Sequence, residues 1–421
     1  MDAYIIDAVR TPRGIGKPSK GALAHLHPQH LGATVLTALR ERNQIDTAMV
    51  DDIIWSTSVQ KWKQGSDLGR MSALLAGYDV RASGVTLDRF CGGGVTATAL
   101  AAAQIASGME DVVIAGGTEM LSYHQEANAM EAAAGIKPLG THAGNPHLLA
   151  VHPLSTNGVA ADAIASMEGI GRAETDAFGL ESQRRAARAL AEGRFSRSLV
   201  PVYRPDGSLA LDHEEYPRPD TTAEGLASLK PAFARLKDVS ILEDGTTFGQ
   251  LIQRKYPGLE WEPIHHAGTS SGIVDGAAAL LLAAGAAARQ RGWRPRARIV
   301  ATANVGDCPT LALNAPVPAA HKVLTKAGLT KAQIDVWEIN EAFAVVPEKF
   351  IRDLDLDREK VNINGGAIAL GHPVGATGAI LLGMALDELE RTGGRYALVT
   401  MCAASGMAPA IIIERVESFA D

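Results

Sequence analysis

The sequence predicts an α/β protein made of two similar halves with a further domain inserted between them, and three observations carry this. Short β-branched runs alternate with Ala-rich helical stretches, as where Val112-Val113-Ile114-Ala115 follows the Ala97 to Ser107 segment. That alternation is the pattern of strands joined through helices and implies parallel strands. The two ends of the chain also repeat one another, since Ile45 to Trp55 and Leu329 to Glu338 both run helix, short turn and acidic strand start. The units that follow repeat as well. Val85-Thr86-Leu87 leads to Cys91, a Gly-rich turn, a helix and Val112 to Ala115; Val361-Asn362-Ile363 leads to His372, a Gly-rich turn, a helix and Ala397 to Thr400.

Taken in order, Tyr4-Ile5-Ile6 reads as a short strand rather than the apolar segment of a secretory leader. From about Leu121 to His266 the texture changes: His, Pro and Arg increase and strand-like runs thin out. This is read as an inserted domain, placed to cover an active site. Within it, Glu174 to Glu192 forms an amphipathic helix carrying Arg184, Arg185 and Arg188, whereas Tyr203 to Thr222 and Glu243 to Pro263 read as loops or edge structure. The most apolar stretch, Gly276 to Ala288, is mostly Ala and falls short of the roughly 20 residues that span a bilayer, so it is read as a buried helix. The resulting division is residues 1–120 plus 267–293 for the first core domain, 121–266 for the inserted domain and 294–421 for the second core domain.

Composition narrows the function classes. A chain of 421 residues supports about two or three domains of roughly 150 residues each. Its 46% hydrophobic and 21% charged content is that of an ordinary globular protein. A net charge of -7 without any run of Lys and Arg argues against nucleic acid as a partner. Only three cysteines occur, Cys91, Cys308 and Cys402, far apart and without a CxxC pair. That excludes a disulfide framework and a Cys-rich zinc site and fits a reducing, cytoplasmic compartment. His265-His266 and the histidines from His142 to His152 lack regular ligand spacing, so no metal is expected.

Cys91 stands in Asp88-Arg89-Phe90-Cys91-Gly92-Gly93-Gly94, between a strand and a helix beginning near Val95. A sulfur near a helix N-terminus is favoured as thiolate, and the glycines let backbone N–H groups crowd a reacting carbonyl. A free Cys is more commonly a small buried hydrophobe, and the triple glycine reverses that preference. His372 occupies the matching place in the second half, within a Gly-rich run from Gly365 to Gly378. A His beside a Cys can take its proton and hold the thiolate as an ion pair. That run lacks the Gly-Lys-Ser/Thr of a P-loop and the spacing of a dinucleotide fingerprint, which disfavours ATP and NAD. Cys402 follows the strand Ala397 to Thr400 at a small-residue turn, where open α/β sheets place ligands and where a second thiol could shuttle a proton. Asn340-Glu341-Ala342-Phe343 puts an amide and a carboxylate at another strand end, with a helix cap as the alternative reading. Cys308 has no such setting and is taken as structural.

Together, the Cys91 turn, Asn340-Glu341-Ala342-Phe343, Gly371-His372-Pro373 with Gly375-Ala376-Thr377-Gly378, and the late Cys402 turn resemble the thiolases in order and spacing over nearly the whole chain. Gly116-Gly117-Thr118-Glu119-Met120 and Ala267 to Gly272 with Asp275-Gly276-Ala277-Ala278 extend the match. The resemblance implies the thiolase fold, two α/β halves stacked as five αβαβα layers with a loop domain between them, and assembly as a homodimer or homotetramer. It implies coenzyme A and acyl-CoA as substrates, no permanently bound cofactor, and the chemistry of fatty-acid β-oxidation. Cys91 would attack a 3-oxoacyl-CoA and become acylated while acetyl-CoA leaves, and a second CoA would take the acyl group; the reverse is Claisen condensation. His372 would activate Cys91, Asn340 would position a water in the first oxyanion site, Cys402 would exchange the α-carbon proton, and the N–H groups of Cys91 and Ala404 would form the second oxyanion site. For CoA, the pattern carries over to Arg218 near the adenine, Ala232-Phe233 in the loop domain, Ser271 along the pantetheine and Ala342-Phe343 near the thioester.

The chain also departs from the family pattern. Cys402 is followed by Ala403-Ala404-Ser405-Gly406 in place of a glycine-rich run, which narrows the backbone geometry expected at the second oxyanion site. Thr156-Asn157 replaces the His-Met of short-chain thiolases, and about Leu242 to Glu262 is extra. Both reshape the acyl pocket and leave room for a branched, cyclic or longer acyl group. The rival readings are a decarboxylating ketoacyl synthase, which sets two histidines beside its cysteine, a non-catalytic acyl-CoA or lipid binder, and a Cys-His hydrolase.

Overall fold

The computed structural model describes residues 2–136 and 140–419. Strand β1 (Ala3–Arg10) is followed by helix α1 (Pro28–Asn43), β2 (Asp52–Ser56), β3 (Val85–Leu87), α2 (Gly93–Ser107) and β4 (Val112–Met120). Helices α3 (Asn157–Met167) and α4 (Arg172–Ala191) belong to the stretch read as inserted. Then come β5 (Val274–Ala284), β6 (Ala297–Gly306), α5 (Pro316–Ala327), β7 (Val336–Ile339), α6 (Val345–Leu354), α7 (Val374–Thr392), β8 (Tyr396–Thr400) and β9 (Met407–Arg415).

The strands form one 10-stranded sheet, of which nine run in the order β7-β8-β9-β6-β1-β5-β4-β2-β3 and a two-residue strand, Gly14–Ile15, pairs with β5. The sheet divides into two matching halves. In the first, β3, β2 and β4 are parallel, while β5 and β1 continue antiparallel. In the second, a bridge at Val361, β7 and β8 are parallel, while β9 and β6 continue antiparallel. The halves meet where β1 pairs with β6 over only two positions, Tyr4 with Arg298 and Ile5 with Ala297. The parallel strands read from the sequence are therefore one part of a mixed sheet. Each half also starts its second strand by the same device: Asp51 accepts from the N–H groups of Asp111 and Val112, and Asp335 from those of Arg395 and Tyr396.

Helices α2 and α7 pack on each other and on strands of both halves, α1 covers the outer face of the first half and α5 that of the second. The result is the five-layered order that the resemblance implies. The α2–α7 crossing is a backbone contact: a Cβ at Gly94 would lie 2.7 Å from Ala379 N, and one at Gly378 only 2.2 Å from Val95 N. Only glycine permits that approach.

Two readings need correction. Residues 276–284, read as buried helix, are strand β5, every residue of which is buried, and only Gly285–Gln290 is helical. β5 lies between β1 and β4 with helices over both faces, so it carries no polar alternation. There the sheet ladder overrides the helix preference of Ala, and its small side chains let the helical layers close in. Residues 243–263 contain the helix Phe248–Lys255, whose Thr247 and Gln250 form a reciprocal capping box. The stretch from 203 to 222 does contain edge structure, the short hairpin of Val202–Tyr203 with Leu209–Leu211.

Candidate active site

Cys91 lies in a single 3-10 turn, Phe90–Gly92, that runs directly into α2. Asp88 accepts the Phe90 N–H at 2.6 Å, and Phe90 takes a left-handed φ of 47°, so the turn is held in an uncommon conformation. The turn packs against α7. It also abuts the Cys402 turn, because a Cβ on Gly92 would come within 2.7 Å of Pro409 Cδ and 3.4 Å of Ala403 Cβ. Cys91 stays partly open to solvent, while Cys402, His372 and Asn340 are buried.

His372 is anchored by its N–H to Gly272 O at 2.9 Å. Its Nδ1 lies 2.6 Å from Thr377 Oγ1, and the Asn340 amide donates to Nε2 over a long 3.4 Å. These partners put the ring proton on Nδ1 and leave a lone pair on Nε2. Asn340 Oδ1 is buried without a protein partner, as is Ser270 Oγ, so the site keeps polar capacity free.

The electrostatics revise one expectation. Burial and the Glu119 charge push the Cys91 thiol up to about 12, although N–H groups of Cys91 and Ala404 bond the sulfur. Burial pushes His372 down to about 4. At neutral pH Cys91 is therefore a neutral thiol and His372 a neutral imidazole, rather than thiolate and imidazolium, because desolvation outweighs the helix end. Cys402 is also raised, by burial and by Cys91, and is a thiol at rest.

The two N–H groups expected to form an oxyanion site, those of Cys91 and Ala404, converge on the Cys91 sulfur. Ala404 needs no left-handed backbone; in its hairpin that demand falls on Ser405 (φ 64°) and Gly406 (φ 78°). Alanine in place of glycine is thus accommodated at 404.

The residues assigned to CoA also draw together. Ser271 N–H donates to Ala342 O, Ala232 N–H to His265 O, and the Phe233 ring meets Phe343 edge-on at 5.5 Å. Arg218 lines a cleft of about 270 Å³ with Tyr216, Leu226, Gly268 and Ile368. Gly268 lies at the start of the segment that reaches Gly272, the residue that anchors His372. Cys308 abuts the Cys402 hairpin, where a Cβ on Gly406 would lie 2.7 Å from its carbonyl oxygen, and its sulfur accepts from Tyr256 Oη at 3.3 Å. Among the described residues no group of three His, Cys, Asp or Glu is placed to hold a metal ion.

Sequence reasoning missed several supporting residues. Thr377 was visible in the Gly-rich motif, but its bond to His372 was not. Glu341 accepts from Ser182, Asn362 and the Ile368 N–H, tying the Asn340 strand end to α4 and to the segment before His372. The adjacent histidines are structural: His265 pairs with Asp162 and His266 with Asp176, both at 2.7 Å.

Comparison with known proteins shows the family. Residues 3–255 match the family description "Thiolase, N-terminal domain" and residues 293–415 match "Thiolase, C-terminal domain". A beta-ketoadipyl-CoA thiolase of Acinetobacter baylyi is 40% identical over 427 residues, covering 98% of this chain and 99% of that one. A 3-oxoadipyl-CoA/3-oxo-5,6-dehydrosuberyl-CoA thiolase of Escherichia coli is 37% identical over 428 residues, covering 99% and 100%. A steroid 3-ketoacyl-CoA thiolase of Mycobacterium tuberculosis is 38% identical over 418 residues, covering 98% and 94%.

Proposed function

The chain belongs to the thiolase family, an acyltransferase that cleaves 3-oxoacyl-CoA with CoA, and on that premise we propose that Cys91, His372, Asn340 and Cys402 carry the reaction. Cys91 gives its proton to His372 Nε2 as its sulfur attacks the keto carbon. The keto oxyanion is held by the N–H groups of Cys91 and Ala404, while His372 Nε2–H and a water on Asn340 hold the thioester oxygen on which charge develops as the α-carbon departs. The bond between the α- and keto carbons then breaks, Cys402 protonates the α-carbon, and acetyl-CoA leaves an acyl thioester on Cys91. A second CoA gives its thiol proton to the Cys402 thiolate and attacks that thioester, whose oxyanion is held by the N–H groups of Cys91 and Ala404; as it collapses the Cys91 sulfur leaves and takes back its proton from His372. The shortened acyl-CoA departs and Cys91 is restored. The single observation that supports this reading most is the set of small-residue turns that holds His372 through Thr377 on Nδ1, leaves Nε2 with only a long contact from Asn340, and bonds the Cys91 sulfur with two backbone N–H groups.

CoA is drawn in past Arg218 along Ala232-Phe233 and Ser271 to Ala342-Phe343. The acyl group is larger than acetoacetyl and polar, a dicarboxylic 3-oxoacyl-CoA such as 3-oxoadipyl-CoA, and the direction is degradative. Supporting this are Thr156-Asn157 at the start of α3, the extra helix Phe248–Lys255 and the names of the related thiolases. The same reading includes a loop domain over residues 121–266, no resident cofactor, a homo-oligomer, and a cytoplasmic location in keeping with three free thiols.

The test is intact-protein mass spectrometry after mixing with 3-oxoadipyl-CoA, acetoacetyl-CoA and acetyl-CoA, each chased with CoA. An adduct on Cys91 that CoA removes, formed fastest from 3-oxoadipyl-CoA and absent in Cys91→Ser, is expected. An adduct elsewhere, or one that water clears as fast as CoA, would sink the assignment, and preference for acetoacetyl-CoA would remove the dicarboxylic substrate.

A further inference from the structure

We propose that Glu119 is a positioning residue for this reaction, a buried fixed charge that pins the His372 turn to the Cys91 half of the core and favours the imidazolium formed when Cys91 yields its proton. The inference rests on the roles of Cys91 and His372 given above.

Glu119 is at the end of β4 and fully buried. Its carboxylate is ringed by donors from four separate segments. Oε2 accepts from the N–H groups of Ser58 at 2.8 Å and Gly375 at 3.0 Å. Oε1 accepts from Thr57 Oγ1 at 3.1 Å, Gln64 Nε2 at 2.7 Å and His124 Nε2 at 2.9 Å. The N–H groups of Ser58 and Gly375 and the Gln64 amide can only donate, so the greater part of the ring favours the ionised form. Burial by itself would raise this acid, and the His124 contact with the remaining donors holds it below its ordinary value instead.

The Gly375 contact gives this charge a catalytic bearing. Gly375 lies in the first turn of α7, three residues after His372, while Thr57 and Ser58 follow β2 in the other half of the core. One carboxylate therefore joins the two halves beside the groups that exchange a proton. Its charge acts on both in the same sense, raising the Cys91 thiol and favouring protonation of His372. The ionisable groups around it are His124, Asp88 of the Cys91 turn, Cys91 and His372. In acylation the S–H bond breaks, an Nε2–H bond forms, the sulfur electron pair enters the new S–C bond and the carbonyl π pair moves onto the keto oxygen. The negative charge thus passes from sulfur to an oxygen held by backbone N–H groups while the positive charge stays on His372, so a fixed negative charge bonded into the His372 turn aids the step even though it disfavours free thiolate.

Glu119→Gln retains the shape and, with its amide turned, the Ser58 and Gly375 contacts, but removes the charge. Single-turnover acylation is expected to slow by about tenfold or more with KM nearly unchanged. Alkylation of Cys91 by iodoacetamide, which needs thiolate and no turnover, is expected to move the other way, its pH profile falling by about one unit, so that the rate at pH 8 rises by about tenfold. Glu119→Asp keeps the charge on a shorter arm and is expected to retain the wild-type alkylation profile while acylating slowly. Slower acylation without any shift in the alkylation profile of the Gln variant, or an Asp variant that shifts like Gln, overturns the proposal. If wild-type protein formed no acyl adduct at Cys91, the underlying assignment would fall instead, and the alkylation comparison would separate the two failures.

Discussion

Thr377→Val removes one hydroxyl from the interior while keeping the branched shape, and the consequence can be worked through from the His372 geometry. Thr377 Oγ1 lies 2.6 Å from His372 Nδ1, and both residues are buried. Without that acceptor, the Nδ1–H tautomer leaves a buried donor unsatisfied, at a cost of about 1–3 kcal/mol. The ring then shifts toward the Nε2–H tautomer, which has no lone pair facing Asn340 and cannot take the Cys91 proton. Each 1.4 kcal/mol is tenfold, so the competent tautomer, and with it the acylation rate, is expected to fall by about 5- to 150-fold. Quenched-flow mass spectrometry of the acyl-Cys91 species measures that rate, and KM for the acyl-CoA is expected to hold. Acylation at the wild-type rate by a folded Thr377→Val protein would show that Thr377 does not set the tautomer.

Other outcomes follow from the same site. Cys402→Ser, with a far weaker acid, is expected to slow thiolysis by about 100- to 10,000-fold while leaving alkylation of Cys91 intact; near-normal thiolysis would remove Cys402 from the proton path. Because burial holds His372 near 4, acylation measured from pH 8 down to about 5.5 is expected to be flat, and a loss of rate centred at 6.5 would contradict a neutral resting pair. Asp275, bonded to Ser122 N–H and Oγ, is raised to about 6 by burial. Its folded pKa exceeds the unfolded one, so the stability it confers is present below the unfolded value and is lost as pH rises through 6, by about 3 kcal/mol. Asp275→Asn is therefore expected to melt above wild type by a margin that widens from pH 4 to pH 8, and a margin independent of pH would refute the assignment.

Three of the four proposed reactive side chains, Cys91, His372 and Cys402, were legible because each stands in a turn of small residues, and such turns have few reasons to exist except close approach; Asn340 was legible only from its place at a strand end. Duplication was legible for the same reason, down to the aspartates at 51 and 335 that start corresponding strands. β5 was misread because periodicity is silent when both faces are buried: an Ala-Leu run fits a buried strand and a buried helix alike, and neighbours in space settle which forms. The charge state of Cys91 was also out of reach. A helix end is visible in sequence, whereas the desolvation that overrides it depends on elements far away along the chain. Glu119 was visible only as a motif letter, because its five donors come from segments whose meeting no local pattern announces.

The glycine contact between α2 and α7 has a consequence for how such an enzyme can change. Cys91 and His372 each stand just ahead of one of these helices, so their separation is fixed where two backbones touch, by atoms that no side-chain substitution can lengthen. The segment between residues 121 and 266 takes no part in that contact. It can gain a helix such as Phe248–Lys255, or exchange His-Met for Thr156-Asn157, without altering the reacting distance. On the function proposed above, acyl-group preference and bond chemistry would then be separately mutable parts of one chain, with drift in the insertion leaving the spacing of the two helix starts as it is.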